Sequence, residues 1–112
     1  MTFEVVPLRP FEKQLKRLAG KYPSLKKELG ALVDMLSSDP TIGTPLGSGS
    51  FKIRIAIASK GKGKSGGGRV ITHVRVVSNR VYLLTIYDKS EKGTLSDKEL
   101  KELLSLVPEE RR

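Results

Sequence analysis

The chain has 112 residues, no cysteine, a single histidine, and 21 lysines and arginines against 12 acidic residues, a net charge of +9. That length suits one compact unit; the absent cysteines exclude disulfides, thiolate metal sites and a cysteine nucleophile, and one histidine, His73, argues against catalytic zinc, so no cofactor is expected. No apolar run approaches the roughly 20 residues of a membrane span, and Met1 to Pro10 lacks the basic-then-apolar layout of a secretion signal, so a cytoplasmic protein without a membrane partner is expected.

In chain order, Thr2 to Pro7 alternates and is rich in β-formers, which predicts a short first strand. Pro10 opens a helix, where a proline in the first turn is tolerated. Phe11, Leu15 and Leu18 give that helix one apolar stripe, and Gly20 is expected to end it. A second helix starts near Pro23 and Ser24, carries Leu25, Leu29, Leu32, Val33 and Leu36 on one face, and stops at Ser37 to Pro40. Thr41 to Ser50 reads as a loop. Phe51 to Ala58 follows as a strand, with Phe51, Ile53, Ile55 and Ile57 on one face and Lys52, Arg54, Ala56 and Ala58 on the other. Ser59 to Gly68 is a glycine–lysine loop, Arg69 to Val77 a strand, Ser78-Asn79 a tight turn and Arg80 to Tyr87 the last strand of a meander. Ser96 and Glu99 form a capping box ahead of a final helix with Leu100, Leu103 and Leu104 on its apolar face. The order β-α-α-β-β-β-α predicts an α+β fold, a helical hairpin on one face of a small, mainly antiparallel twisted sheet. One domain over residues 1–107 is expected, with a frayed tail at 108–112.

The charge is unevenly spread. Between Pro40 and Tyr87 there is no acidic residue, and the same stretch holds Lys52, Arg54, Lys60, Lys62, Lys64, Arg69, Arg75 and Arg80. A one-sided basic block in a small domain points to a polyanion, most often nucleic acid. Gly61-x-Gly63-x-x-Gly66 matches the dinucleotide fingerprint by letter, and Gly63-Lys64-Ser65 resembles the end of a phosphate-binding loop. Both motifs require a helix next, whereas Arg69-Val-Ile-Thr-His-Val reads as strand. What remains is a loop whose lysines supply charges for phosphates and whose glycines let backbone approach a ligand. Lys52, Arg54 and Arg69 at the loop's roots form a cradle on rigid strands. Tyr87 and Lys89, at and beyond the end of the last strand, can reach the same cleft, and His73 offers a side chain that titrates near neutrality.

The run from Phe51 through Gly68 into Arg69-Val-Ile resembles the central segment of RelE-family toxins, especially their HigB-like branch. Val81-Tyr-Leu-Leu-Thr-Ile-Tyr-Asp-Lys-Ser-Glu-Lys, with Leu95-Ser96 and a last helix, resembles the end of that fold. The resemblance covers nearly the whole chain. It implies a RelE-like, microbial-RNase-like fold and a toxin that cleaves mRNA without a metal, on the ribosome or free, the substrate's 2′-OH attacking the adjacent phosphate. Implied partners are a cognate antitoxin, mRNA and ribosomal RNA, with operator DNA reached only through the antitoxin complex. Carried over by position, Lys52 and Arg54 match the family's basic strand pair, Arg69 its central phosphate-binding arginine and Lys89 a lysine near the end of the last strand. Ser90 stands where the best-known members carry an arginine, and no aromatic residue follows Glu91, which leaves Tyr87, His73 or a loop lysine as the candidate base. Lys60, Lys62, Lys64 and Arg75 are expected to grip RNA. A gyrase-inhibiting toxin of the related ParE branch and a non-catalytic RNA-binding module are the competing readings.

Overall fold

A computed structural model describes residues 2–61, 63 and 66–109. Its order is β1 (Glu4–Pro7), α1 (Arg9–Lys21), α2 (Leu25–Ser38), β2 (Thr44–Gly47), β3 (Ser50–Ile55), a 3₁₀ turn (Ala58–Lys60), β4 (Gly68–Arg75), β5 (Arg80–Asp88) and α3 (Asp97–Leu104). The strands form one sheet in the order β1-β5-β4-β3-β2, with β1 parallel to β5 and every other pair antiparallel.

Pro10 sits in the first turn of α1, and the Tyr22 amide closes the helix on the Leu18 carbonyl, so that α1 ends at Lys21, one residue past the break expected at Gly20. The loop expected at Thr41 to Ser50 holds an exposed edge strand, β2, whose register slips between Pro45 and Gly47. The strand after it is shorter than its alternation suggests and ends at Ile55. Beyond it, Ala58 and Ser59 turn toward the start of α2. Ala58 N–H donates to Glu28 Oε2 at 2.6 Å and Ser59 N–H to Ser24 Oγ at 3.0 Å.

The main core lies between the hairpin α1–α2 and one face of the sheet, where Phe11, Leu18, Leu25 and Leu36 meet Ile53, Ile55, Val70, Val81 and Ile86. Each such fully buried side chain contributes about 1.5–3 kcal/mol. A smaller cluster occupies the opposite face. There Leu8, Ile71, Tyr82, Leu84 and Tyr87 lie under Leu95 and the α3 residues Leu100, Leu103 and Leu104. The last helix therefore covers part of the face that sequence patterning left open. Its start is fixed by the expected capping box: Glu99 N–H bonds to Ser96 Oγ, and Ser96 N–H to Glu99 Oε1, both at 3.1 Å.

One irregularity shapes the second face. Ile71 pairs with Thr85 but Thr72 pairs with Leu83, so Leu84 is an extra residue in β5. Before the bulge Tyr82 points toward α3. After it Thr85 and Tyr87 do, because one added residue reverses the alternation.

Candidate functional site

Paired residues on neighbouring strands project from the same face about 5 Å apart. The registers Arg54↔Arg69 and Arg69↔Tyr87 thus align three side chains across β3, β4 and β5, on the face away from the hairpin. One step along, Lys52 stands opposite Ile71, which stands opposite Thr85. The strands bring together four of the residues singled out from sequence: Lys52, Arg54, Arg69 and Tyr87. Like charges directly opposite one another are unfavourable in a sheet, so Arg54 facing Arg69 marks a place where an anion would lower the energy.

The row differs in exposure. Arg54 is exposed and Lys52 half-buried, and neither has a hydrogen-bond or ion-pair partner among the described residues. Arg69 is only 4% exposed, with a guanidinium N–H donating to the Gly68 carbonyl at 3.0 Å. Tyr87 is 6% exposed and its hydroxyl has no hydrogen-bond partner among the described residues. Burial pushes the Tyr87 phenol above its ordinary value, opposed in part by the charges of Arg69 and Lys92. A phenol so placed holds its proton at neutral pH and can donate a hydrogen bond.

The remaining candidates are spread out. Lys89 is exposed just beyond β5, its ammonium on the Gly93 carbonyl at 2.9 Å. His73 lies on the same face, paired with Ser50 and Tyr82, its Nδ1 3.3 Å from Ser50 Oγ. It lies four steps along the strand from Arg69, about 13 Å, too far for both to serve one phosphate. Arg75 is two residues further, at the end of β4 opposite Arg80. Lys62 and Lys64 lie outside the described residues.

Lys60 is placed otherwise than expected. Its side chain is 7% exposed and its ammonium donates to Asp88 Oδ1 at 2.5 Å, over the ring of Tyr22. Asp88 also accepts from Tyr22 Oη at 2.6 Å and from the Ser90 amide and hydroxyl. Burial pushes the Asp88 carboxyl up, but the bonds from Lys60, Tyr22 and Ser90 outweigh it and hold the group well below the usual carboxylate range. A lysine so bound anchors the root of its loop and is not presented to a polyanion. Two of the loop's glycines serve the sheet rather than a ligand: a Cβ on Gly67 would stand 2.1 Å from the Ile55 carbonyl oxygen, and one on Gly68 3.3 Å from that of Tyr87.

Contacts that the sequence did not flag complete the surroundings. Arg17 of α1 forms a two-pronged bond to Glu91, at 2.8 and 3.1 Å, and its Nε donates to Gln14 Oε1 at 3.1 Å. Lys92 pairs with Glu99, and that bond, with the Ser96 amide, lowers the Glu99 carboxyl to about 2. Spacing along the chain carries no signal for Arg17 and Glu91, which are 74 residues apart.

Residues 11–109 match the family model described as the RelE toxin of the RelE/RelB toxin–antitoxin system. The chain belongs to the RelE toxin family. Among solved structures, this RelE-family toxin is similar to the free Escherichia coli toxin RelE, determined as an arginine-to-alanine double mutant. The TM-score is 0.65 at 14% identity, covering 96% of this chain and 100% of that one, a likeness of fold. No curated protein sequence matches. The family makes this chain a toxin of a toxin–antitoxin system and implies an antitoxin partner. Among the described residues, no helix is long and apolar enough to cross a membrane.

Proposed function

We propose that this RelE-family toxin is an endoribonuclease that cuts mRNA on the ribosome in the cytoplasm without a metal and so stops translation. The observation that carries this reading is the cross-strand row of Arg54, Arg69 and Tyr87, flanked by Lys52, in a segment without an acidic residue. In the reaction the 2′-OH of one nucleotide attacks the adjacent phosphorus. The P–O2′ bond forms, the P–O5′ bond breaks, the 2′ proton passes to a base and the departing 5′ oxygen takes up a proton. The products are a 2′,3′-cyclic phosphate and a free 5′ hydroxyl. Negative charge builds on the phosphate oxygens in between, and fixed cations aimed at that charge are commonly the largest catalytic contribution.

Exposed Arg54 and half-buried Lys52, both without a partner among the described residues, receive the phosphate. Arg69 stands behind them at the centre of the row, Tyr87 donates a hydrogen bond from its far end, and Lys89 lies beyond the strand end on the leaving-group side. His73 and Arg75, further along β4, meet neighbouring nucleotides rather than the scissile one. The cognate antitoxin neutralises this activity.

The test is induction of the full chain in a bacterial host beside its Arg54→Ala and Arg69→Ala variants, mapping the 5′ ends of cellular mRNA. Growth arrest with new mRNA ends that vanish in both variants is expected. Arrest with intact mRNA would overturn the nuclease reading in favour of a protein target.

A further inference from the structure

The chain leaves the sheet through Asp88 to Lys92, and four of these five side chains are tied to another side chain. Asp88 is fully buried and accepts from Tyr22 at the end of α1 and from Lys60 at the root of the glycine–lysine loop. Ser90 Oγ donates to Asp88 Oδ1 at 2.8 Å. Glu91 takes the two-pronged bond from Arg17 of α1, and Lys92 pairs with Glu99 of α3. Lys89 alone has no side-chain partner among the described residues. It is exposed, and its ammonium rests on the Gly93 carbonyl.

The backbone around that lysine is fixed on both sides. Before it, the Lys89 N–H bonds to the Gly67 carbonyl at 3.0 Å, one step beyond the Gly68↔Asp88 pair. After it, the Ser90 N–H bonds to Asp88 Oδ1 at 2.9 Å, and the Glu91 and Lys92 N–H groups bond to the Asp88 carbonyl, each at 3.0 Å. An aspartate that accepts from the amide two residues on closes a turn with its own side chain, and here Lys89 is carried inside that turn. Lys60 supplies the counter-charge, its side chain 7% exposed. The two ends of the glycine–lysine loop are thus held by one dipeptide, Lys60 by Asp88 and Gly67 by Lys89.

Stability is a poor reason for this arrangement. The attraction within a buried ion pair is largely offset by desolvation, and apolar residues of similar volume often serve a core as well or better. What the pair adds is a defined position. A lysine on a loose segment loses conformational entropy when it meets a phosphate, and a turn set in advance lowers that cost. We infer that Asp88, with Lys60 as its counter-ion, is a positioning residue that presents Lys89 to the RNA backbone at the end of the Arg54–Arg69–Tyr87 row. Tyr87 and Asp88 are consecutive, so their side chains lie on opposite faces, Tyr87 in the row and Asp88 on the hairpin side with Tyr22. The carboxylate therefore touches no RNA and acts through its neighbour. The inference rests on the proposed function for the identity of the strand, but its test requires no cleavage.

The experiment measures the affinity of the full chain for a short 2′-O-methyl oligonucleotide, which cannot be cut, over a range of salt concentrations. Lys89→Ala should weaken binding up to about fivefold and lower the slope of log affinity against log salt by about 0.7. Asp88→Asn should do the same, although it removes a negative charge from a basic protein. Charge alone would tighten binding in that variant, so the sign of the change separates the two accounts. In a Lys89→Ala background Asp88→Asn should cause no further loss, whereas a general structural defect would add to the first. Urea midpoints show whether each variant is folded. Should Asp88→Asn fail to fold, Ser90→Ala, which removes the hydroxyl bond alone, should give a smaller loss in the same direction and only while Lys89 is present. Tighter or unchanged binding in the folded variant, or equal loss with and without Lys89, would overturn the proposal, as would absence of binding by the native chain. A protein that binds RNA without cutting it can pass this test, and a nuclease whose Lys89 makes no backbone contact fails it.

Discussion

On the hairpin side of the sheet, Ile53, Ile55, Val70 and Val81 are buried under two helices. On the other side the same strands present Lys52, Arg54, Arg69 and His73, and α3 with its preceding loop covers only the portion around Ile71, Tyr82, Leu84 and Tyr87. The first face is complementary to the helical hairpin, and the second carries the row proposed to meet RNA. Period-two alternation makes this division possible, since one strand can serve a core and a site at no cost to either. The comparison teaches where stability and function can be separated by substitution.

The largest expected effect is on the core side. Leu18 is fully buried in α1, and Leu18→Ala should cost about 3–5 kcal/mol, read as a fall in the urea midpoint at unchanged slope. Next is the pair that joins the two sides at the strand end. Removing one partner of a buried ion pair costs about 3–5 kcal/mol, and Lys60→Ala should lie near the low end, because Tyr22 and Ser90 still bond to Asp88. The pH dependence follows from the lowered Asp88 carboxyl. A carboxyl whose folded pKa is depressed adds stability above its unfolded value of about 4 and loses it as pH falls through the folded value. Urea midpoints between pH 7 and pH 2 should therefore fall for the native chain, and the fall should begin at higher pH in Lys60→Ala.

The smallest stability effect belongs to the site face. Arg54→Ala should shift stability by no more than about 0.5 kcal/mol, while the slope of log affinity for single-stranded RNA against log salt drops by about 0.7 for the lost phosphate contact. Comparable loss of stability in Arg54→Ala and Leu18→Ala would erase the distinction between the two faces.

Much of this division was legible in the amino-acid order. The alternation of Phe51 to Ile57 separated the isoleucines from Lys52 and Arg54, and the apolar spacing of Phe11, Leu15 and Leu18 announced the hairpin. The Ser96–Glu99 capping box was readable because both halves lie within one turn. Lys60 was not, because a lysine among glycines has the pattern of a solvated loop and its partner, Asp88, lies 28 residues away. For the same reason Gly67 and Gly68 looked like an approach route for a ligand, although their neighbours are the carbonyls of Ile55 and Tyr87. Nor could the pattern tell how α3 docks. Leu100, Leu103 and Leu104 mark an apolar stripe, but the surface it covers is chosen by the sheet's second face. The site row itself was only half readable. Arg54 and Arg69 were named from sequence, yet their pairing depends on strand register.

The extra residue at Leu84 has a consequence for comparing this chain with its relatives. It works as a half-period phase shift in β5, so that counting forward from Arg80 and counting back from Asp88 assign opposite faces to the residues between. In a relative lacking it, the position aligned with Tyr87 by forward counting would point into the hairpin core, where an isoleucine-like side chain belongs. Correspondence of site residues beyond this point is therefore sound only when anchored at the Gly68↔Asp88 end of the ladder.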